Sequence, residues 1–378
     1  MTRSTTTSTA RPTTFRRRRS GTRAAVIASG AVLALAACGG SGGTAAGGGG
    51  TGGGGEGEAA GTIAFLMPDL ASTRYEEQDR PLFEAAVQDQ CGYDVFYANA
   101  DADAAQQQQQ VSSALAQGVT AVVIDPVDTA AAATMVNTAQ AQDVPIIAYD
   151  RPIPDRPADY YVSFDNEAIG ASIAQSLVDH LDEIGAQGGV LQVNGSPTDA
   201  AAGLIRDGVS SVVDTSSYEV LAEFDTPGWQ PPEAQNWVSG QITAYGDQIV
   251  GVVAANDGTA GASIAALRSA GVDPVPPVTG NDAELAAIQR VVAGTQFNTI
   301  SKPISTVAEA AAEVACAFAQ GETPEPETTL FDTPAQLFEP TVVTRDNLQE
   351  VIVDGGIYTA EEICTPEYAD ACAELGIA

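Results

Sequence analysis

Polar residues recur directly after short apolar runs along this chain. Asp69 follows Ile63–Met67, Asp125 follows Ala121–Ile124, and Asp150-Arg151 follow Pro145–Tyr149. Asp165-Asn166 follow Tyr160–Phe164, and Asp199 lies in the loop after Val190–Val193. Asn256-Asp257 end Ile249–Ala254, Asn281-Asp282 follow Val278–Thr279, and Lys302 follows Phe297–Ile300. Taken singly, a short carboxylate such as Asp165, Asp257 or Asp282 is accounted for as a helix N-cap that satisfies orphan N–H groups. Taken together, these positions supply fixed acceptors, amides that donate and accept, and a few cations. Hydroxyl groups also donate and accept, so a polyhydroxylated molecule matches that set. Tyr75, Phe164 and Trp229 lie close by in sequence and offer flat faces for apolar C–H groups, although core packing accounts for them too. Asp150 and Arg151 can keep each other charged, which matters because an unpaired buried charge costs several kcal/mol. Lys302 is the only Lys in the chain and stands just before Pro303.

The elements that must position these residues alternate in type. Further apolar runs occur at Val95–Tyr97 and Val220–Phe224, and Ala-rich amphipathic stretches separate the runs: Gln106–Gln117, Glu167–Leu181, Thr259–Ala270 and Ser305–Ala319. Continuous apolar strands alternating with helices mean parallel sheet covered on both faces. About ten strands across residues 62–378 exceed one small open sheet and suit an α/β fold of two Rossmann-like, doubly wound lobes. In such sheets ligands bind outside the carboxyl ends of the strands, where the polar residues recur. The Gln106–Gln110 run reads as a helix face closed by Gly118.

Composition removes several classes of function. The 378 residues carry a formal net charge of −33. Residues 1–37 hold seven Arg and no acid, so from Cys38 onward nine basic residues face 49 acids, a balance of −40. Such a surface repels phosphate backbones and excludes nucleic acid as a partner. A single His, His180, excludes a His-rich metal site. The G-x-G-x-x-G strings within Gly39–Gly61 follow no strand, so no dinucleotide cofactor is expected.

Arg16–Arg19 and Arg23 precede the uncharged stretch Ala24–Ala37, the pattern of a secretory signal. The stretch ends in Leu35-Ala36-Ala37-Cys38, which resembles the bacterial lipoprotein lipobox; that resemblance implies cleavage before Cys38 and lipidation of its thiol. Gly39–Gly61 contains 14 Gly and reads as a flexible tether. A signal peptide is therefore expected at residues 1–37, and the resemblance implies a lipidated Cys with its leash at 38–61, holding the protein on the outer face of the cytoplasmic membrane. Export places Cys91, Cys316, Cys364 and Cys372 in an oxidising compartment. Four cysteines allow three pairings. The short Cys364–Cys372 loop is the natural local bridge, which leaves Cys91 with Cys316.

Several collinear stretches carry a family resemblance. They are IIAYDRPI (Ile146–Ile153), YYVSFDNEAIG (Tyr160–Gly170), NGSPTDAAA (Asn194–Ala202), VVAANDGTAGASIAAL (Val252–Leu267), VTGNDAELAAIQRVVAGTQ (Val278–Gln296) and SKPI (Ser301–Ile304). From about Thr62 to Tyr358 the chain resembles the type I periplasmic sugar-binding proteins, the substrate-binding lipoproteins of ABC transporters, and within them the xylose-binding group. The resemblance implies two lobes joined by three crossovers, a monosaccharide in the cleft, and a membrane permease with its cytoplasmic ATPase as partner of a monomeric protein. It implies ligand contacts at Arg74, Tyr75, Asp150, Arg151, Asp199, Trp229, Asn256, Asp282 and Lys302. Phe164, Asp165 and Asn166 match the first crossover and are expected at the hinge or lobe interface. The lobes are expected at 62–163 plus 302–336 and at 164–301 plus 337–378, with the tail from Arg345 packed on the second.

The chain also departs from that pattern. Tyr75 stands where the group has Trp, Ala200 and Ala201 stand where it has a pair of Asn, and Asn281 replaces a Gln. Each lost direct hydrogen bond weakens a sugar by ~0.5–1.5 kcal/mol. The expected ligand is therefore D-xylose or a related aldose, with glucose, ribose, arabinose and galactose open. No enzymatic activity is expected. Glycoside hydrolysis needs two carboxylates at a set separation, and here carboxylates are spread over many strand ends and matched with Arg and Lys. The alternative is a sugar-sensing receptor for a chemotaxis or two-component system without transport.

Overall fold

The computed structural model describes residues 61–377. The signal segment, Cys38 and the Gly-rich stretch up to residue 60 lie outside the described residues.

The strands are β1 (Thr62–Met67), β2 (Asp94–Asn99), β3 (Ala121–Ile124), β4 (Ile146–Tyr149), β5 (Tyr160–Phe164), β6 (Gly189–Asn194), β7 (Glu219–Asp225), β8 (Ile249–Ala254), β9 (Thr299–Ser301), β10 (Thr328–Leu330), β11 (Thr333–Phe338) and β12 (Thr341–Val343). The first lobe is built on a sheet in the order β10-β11-β5-β4-β3-β1-β2, parallel except for the β10–β11 hairpin. The second is built on β7-β6-β8, all parallel. A single parallel bridge, Val252 to Val278, extends it. Phe297 N–H then bonds Val278 O at 2.9 Å, which brings β9 alongside, and β12 closes the edge antiparallel to β9.

Within each lobe the second strand lies outside the first and the third lies inside it. The chain therefore reverses direction across the sheet between β1 and β3, and again between β6 and β8. Such a switch point opens a crevice at the carboxyl ends of the strands. β1, β3, β4 and β5 are apolar apart from Thr62 and Ser163 and almost wholly buried, as strands covered on both faces require.

Four features differ from the sequence reading. Val278–Thr279 makes one bridge rather than a strand. β10, β11 and β12 were not anticipated, being short and mixed in polarity. β11 also carries the first sheet on to Phe338, past the boundary expected at 336, pairing with Phe164 of β5. The tail is less hydrophilic than its composition suggests: Leu348, Ile352, Ile363, Cys372 and Ile377 bury against Ile288, Val291 and Val292 of the helix Leu285–Val292. Disulfides join Cys364 to Cys372 within that tail and Cys91 to Cys316 between the first lobe's helices Arg80–Cys91 and Ile304–Ala319.

Two helices of the second lobe set the position of its rim. Asn166–Ile184 and Ala200–Val213 cross at Gly170 and Gly208, where a Cβ would lie 1.9 Å and 2.1 Å from the opposing backbone oxygen. Only glycine at both positions lets the axes approach this closely.

Candidate functional site

The loop after β1 opens with Asp69, whose Oδ1 accepts the N–H groups of Ala71 and Ser72 at 2.9 and 3.1 Å. The chain then enters a π-helical turn, Tyr75–Asp79, flanked by Arg74. Across that turn Arg74 donates from Nε and Nη2 to the two oxygens of Asp79 at 3.2 and 3.1 Å. Asp79 is fully buried and also accepts the Tyr149 hydroxyl at 2.6 Å. The guanidinium so fixed reaches Asp150 at 3.3 Å and Asp282 of the second lobe at 3.5 Å.

Arg151 forms a second cluster. It meets Asp69 at 2.9 Å and Asp125 at 3.3 Å within its own lobe, and Asp199 of the other lobe at 3.1 Å. The buried Gln107 positions the Asp125 loop by donating to Asp125 O at 2.7 Å and accepting Val127 N–H at 2.9 Å. Tyr75 links the clusters: its hydroxyl donates to Asp150 and accepts from Arg151, each at 3.2 Å. Arg74 lies 5.0 Å from the centre of its ring, a cation–π distance.

The second lobe contributes groups already held by their own elements. Asp199 caps Ala200–Val213 through Ala201 N–H at 2.8 Å and accepts the Trp229 indole N–H at 2.9 Å. The indole packs against Gly195, where a Cβ would sit 2.1 Å from ring atoms. Asn256 caps Asp257–Ser269 in a capping box with Thr259. Lys302, directly after β9, lies 2.7 Å from Asp282 and 3.8 Å from Asp150, so it ties both lobes to one ammonium.

Asp150, Trp229 and Asp282 have φ of 60°, 57° and 104°. Non-glycine residues are held in that region only where their surroundings over-determine it, and such strain clusters at functional sites.

Burial sets the electrostatics. It opposes the charge on Arg74, but Asp150, Asp79 and Asp282 more than offset it, so the guanidinium is held charged more firmly than usual. Burial likewise opposes the charge on Asp150, and Arg74, Lys302 and Arg151 overcome it, leaving that carboxyl well below the usual range. Asp79, Asp125 and Asp199 go the other way. Burial pushes each of them up, and the arginine beside each offsets only part of it.

Arg74, Tyr75, Asp150, Arg151, Asp199, Trp229, Asn256, Asp282 and Lys302 all line one cavity with about 360 Å³ of empty space. Asn166 lines it as well, beyond the hinge place expected for it. Phe164 ends β5 and packs on Phe338 at 5.8 Å, and Asp165 caps Asn166–Ile184 while its N–H bonds Phe338 O. Ser72, Ala201, Ile205 and Asn281 line the cavity without having been singled out as contacts. Two expectations about caps fail. Asn256 rather than Asp257 is the N-cap, because only the residue before the helix can fold its side chain back. Asp282 precedes Leu285–Val292 by too much to cap it and pairs with Lys302 instead. Asp79 carried one faint signal, an acid five residues after an Arg.

The sequence matches the model of the periplasmic binding protein domain over residues 63–323. It is 34% identical over 309 residues to the D-xylose-binding periplasmic protein of Escherichia coli, covering 80% of this chain and 92% of that one. It is 28% identical over 328 residues to the multiple sugar-binding periplasmic receptor of Rhizobium radiobacter, covering 80% and 92%. The crystal structure of a carbohydrate transporter solute binding protein from Chloroflexus aurantiacus in complex with D-glucose superposes with a TM-score of 0.74 at 28% identity. That alignment covers 79% of this chain and 97% of the other.

Proposed function

This chain belongs to the periplasmic binding protein family, and from that premise we propose that it captures a monosaccharide, D-xylose or a related aldose, between its lobes and delivers it to an ABC importer. One observation carries the reading: side chains from both lobes, with Arg74, Arg151 and Lys302 set among carboxylates, converge on a single cavity. A sugar hydroxyl can accept from a cation and donate to a carboxylate at once, and charge-assisted bonds of this kind are about twice as strong as neutral ones. The Trp229 face offers an apolar wall for ring C–H groups. Few alternatives suit so many fixed donors and acceptors around so little space.

The three crossovers near residues 164, 302 and 338 act as the hinge in this reading, with the lobes at 62–163 plus 302–336 and at 164–301 plus 337–378. A sugar touching both walls favours the closed form by its differential affinity for it. Closure then presents one joint surface to the permease, and a lipid on Cys38 with the Gly-rich tether keeps that encounter local.

The test is a thermal-shift and calorimetric screen of residues 62–378 against pentoses and hexoses. Ligand at about 100 times its Kd should add ~2.7 kcal/mol of stability. Absence of any response across the aldoses overturns the sugar reading. Loss of labelled-sugar uptake on deleting the gene supports transport, and loss of a sugar response with uptake intact refutes it.

A further inference from the structure

Most polar side chains lining the cavity are already engaged by the protein. Asn256 Oδ1 accepts from both the N–H and the hydroxyl of Thr259 at 2.9 Å, and Asn166 donates to the Tyr161 hydroxyl at 3.2 Å. Asn281 differs. Its backbone is fixed, since its carbonyl accepts the Asp257 N–H at 2.9 Å, and the residue is 2% exposed. Yet its Oδ1 is buried without a hydrogen-bond partner among the described residues. Other buried side-chain atoms share that condition, on Thr226, Asn298 and Ser301 among others, but of those residues only Asn281 lines the cavity.

A buried amide left unpaired carries its full desolvation penalty, and native structures leave few such groups unexplained. Asn281 precedes Asp282 in the chain and both line the cavity, where Asp282 with Lys302 offers an acceptor and a donor to one hydroxyl. Building on the sugar-binding reading, we infer that Asn281 is a direct ligand contact that sets the protein's preference among sugars. Its amide takes the hydroxyl next to the one held by Asp282 and Lys302, accepting from it or donating to it. A site built to hydrogen-bond a hydroxyl rejects the analogue that lacks it far more strongly than an apolar wall could.

The test compares wild type with Asn281→Leu, which keeps the side chain's shape and removes its polar atoms. Affinities are measured for the tightest-binding aldose and for its set of single-deoxy analogues. The expected result is an affinity for the parent sugar at least ~10-fold lower, with one deoxy analogue bound equally well by both proteins and the other analogues weakened like the parent. The melting temperature of the ligand-free variant should not fall, since no protein–protein hydrogen bond is lost. Equal binding of every sugar by the two proteins overturns the inference. So does a uniform loss across all analogues, or a lowered melting temperature, because either marks a structural role. Failure of wild type to bind any aldose removes the sugar reading and this inference together, which separates that failure from the others.

Discussion

Two guanidinium groups face the cavity, and they are held in different ways. Arg74 is locked by a fully buried carboxylate, Asp79, that accepts two of its N–H groups and a tyrosine hydroxyl. Its contact with the second lobe, Asp282, has another cation at 2.7 Å in Lys302. Arg151 is the only cation paired with Asp69, Asp125 and Asp199 among the described ion pairs. Asp199, however, is also satisfied by its own helix N-terminus and the Trp229 indole. The first clamp thus has spare cations and a dependent cross-lobe acid. The second has a single cation and a self-sufficient cross-lobe acid. Lobe opening costs the two sides differently for that reason, and each can be broken separately.

The largest effect is expected at Arg151→Ala. It leaves three buried carboxylates without a cation, and removing one partner of a buried pair costs about 3–5 kcal/mol. Arg74→Ala should destabilise less, since it strands one buried carboxylate, Asp79, while Asp150 and Asp282 keep Lys302. Chemical denaturation of both variants decides it; a greater loss for Arg74→Ala would falsify the contrast. Lys302→Ala should lower sugar affinity by ~2 kcal/mol or more through the loss of a charge-assisted bond in a closed cleft. Calorimetry showing wild-type affinity for that variant would mean the cleft is read wrongly.

A smaller effect concerns pH. Glu284 of the second lobe accepts Thr73 N–H of the first at 3.3 Å. Burial, with Asp257 and Asp282 adding repulsion, pushes it up to about 8. Burial pushes the neighbouring Asp257 up to about 7, against the opposing charge of Arg290. Both values are raised, so the folded chain binds more protons than the unfolded one between the ordinary carboxylate range and about pH 7–8. Stability therefore falls as pH rises through that window, by at most ~1.4 kcal/mol per pH unit for each proton. Denaturation midpoints at pH 5, 7 and 9 measure it, and Glu284→Gln should flatten the slope; an unchanged slope in that variant would assign the effect elsewhere. The smallest effect is expected at Gly195→Ala, where the new methyl pushes the indole off Asp199 and weakens sugar binding by the ~0.5–1.5 kcal/mol of one hydrogen bond. Unaltered tryptophan fluorescence and affinity would show the loop yields without cost.

Much of the cavity was legible because a parallel strand delivers whatever follows it to the same edge of the sheet. Asp150, Arg151, Asn256, Asp282 and Lys302 could be picked out by standing after apolar runs, with no knowledge of which strand pairs with which. Asp79 and Gln107 could not. Both act from inside helical segments, where the local pattern, at most an Arg five residues before an acid, does not separate a buried polar residue from a solvated one. β10 and β12 escaped because three-residue strands with polar faces resemble loops until a neighbour supplies hydrogen bonds, and β11 because Thr333, Pro334 and Gln336 interrupt its apolar residues.

The sequence alone determined the alternation of strand and helix, the kinds of group at the strand ends, and the cysteines available for pairing, since these follow from local patterning and composition. Which cation meets which carboxylate was decided only by the tertiary structure. Arg74 and Asp282 lie 208 residues apart and touch because two lobes close on one another. In the same fold Glu284 is buried and Asn281 Oδ1 has no hydrogen-bond partner among the described residues. Burial and pairing depend on where other segments end up, so no reading of the neighbouring residues could have supplied them.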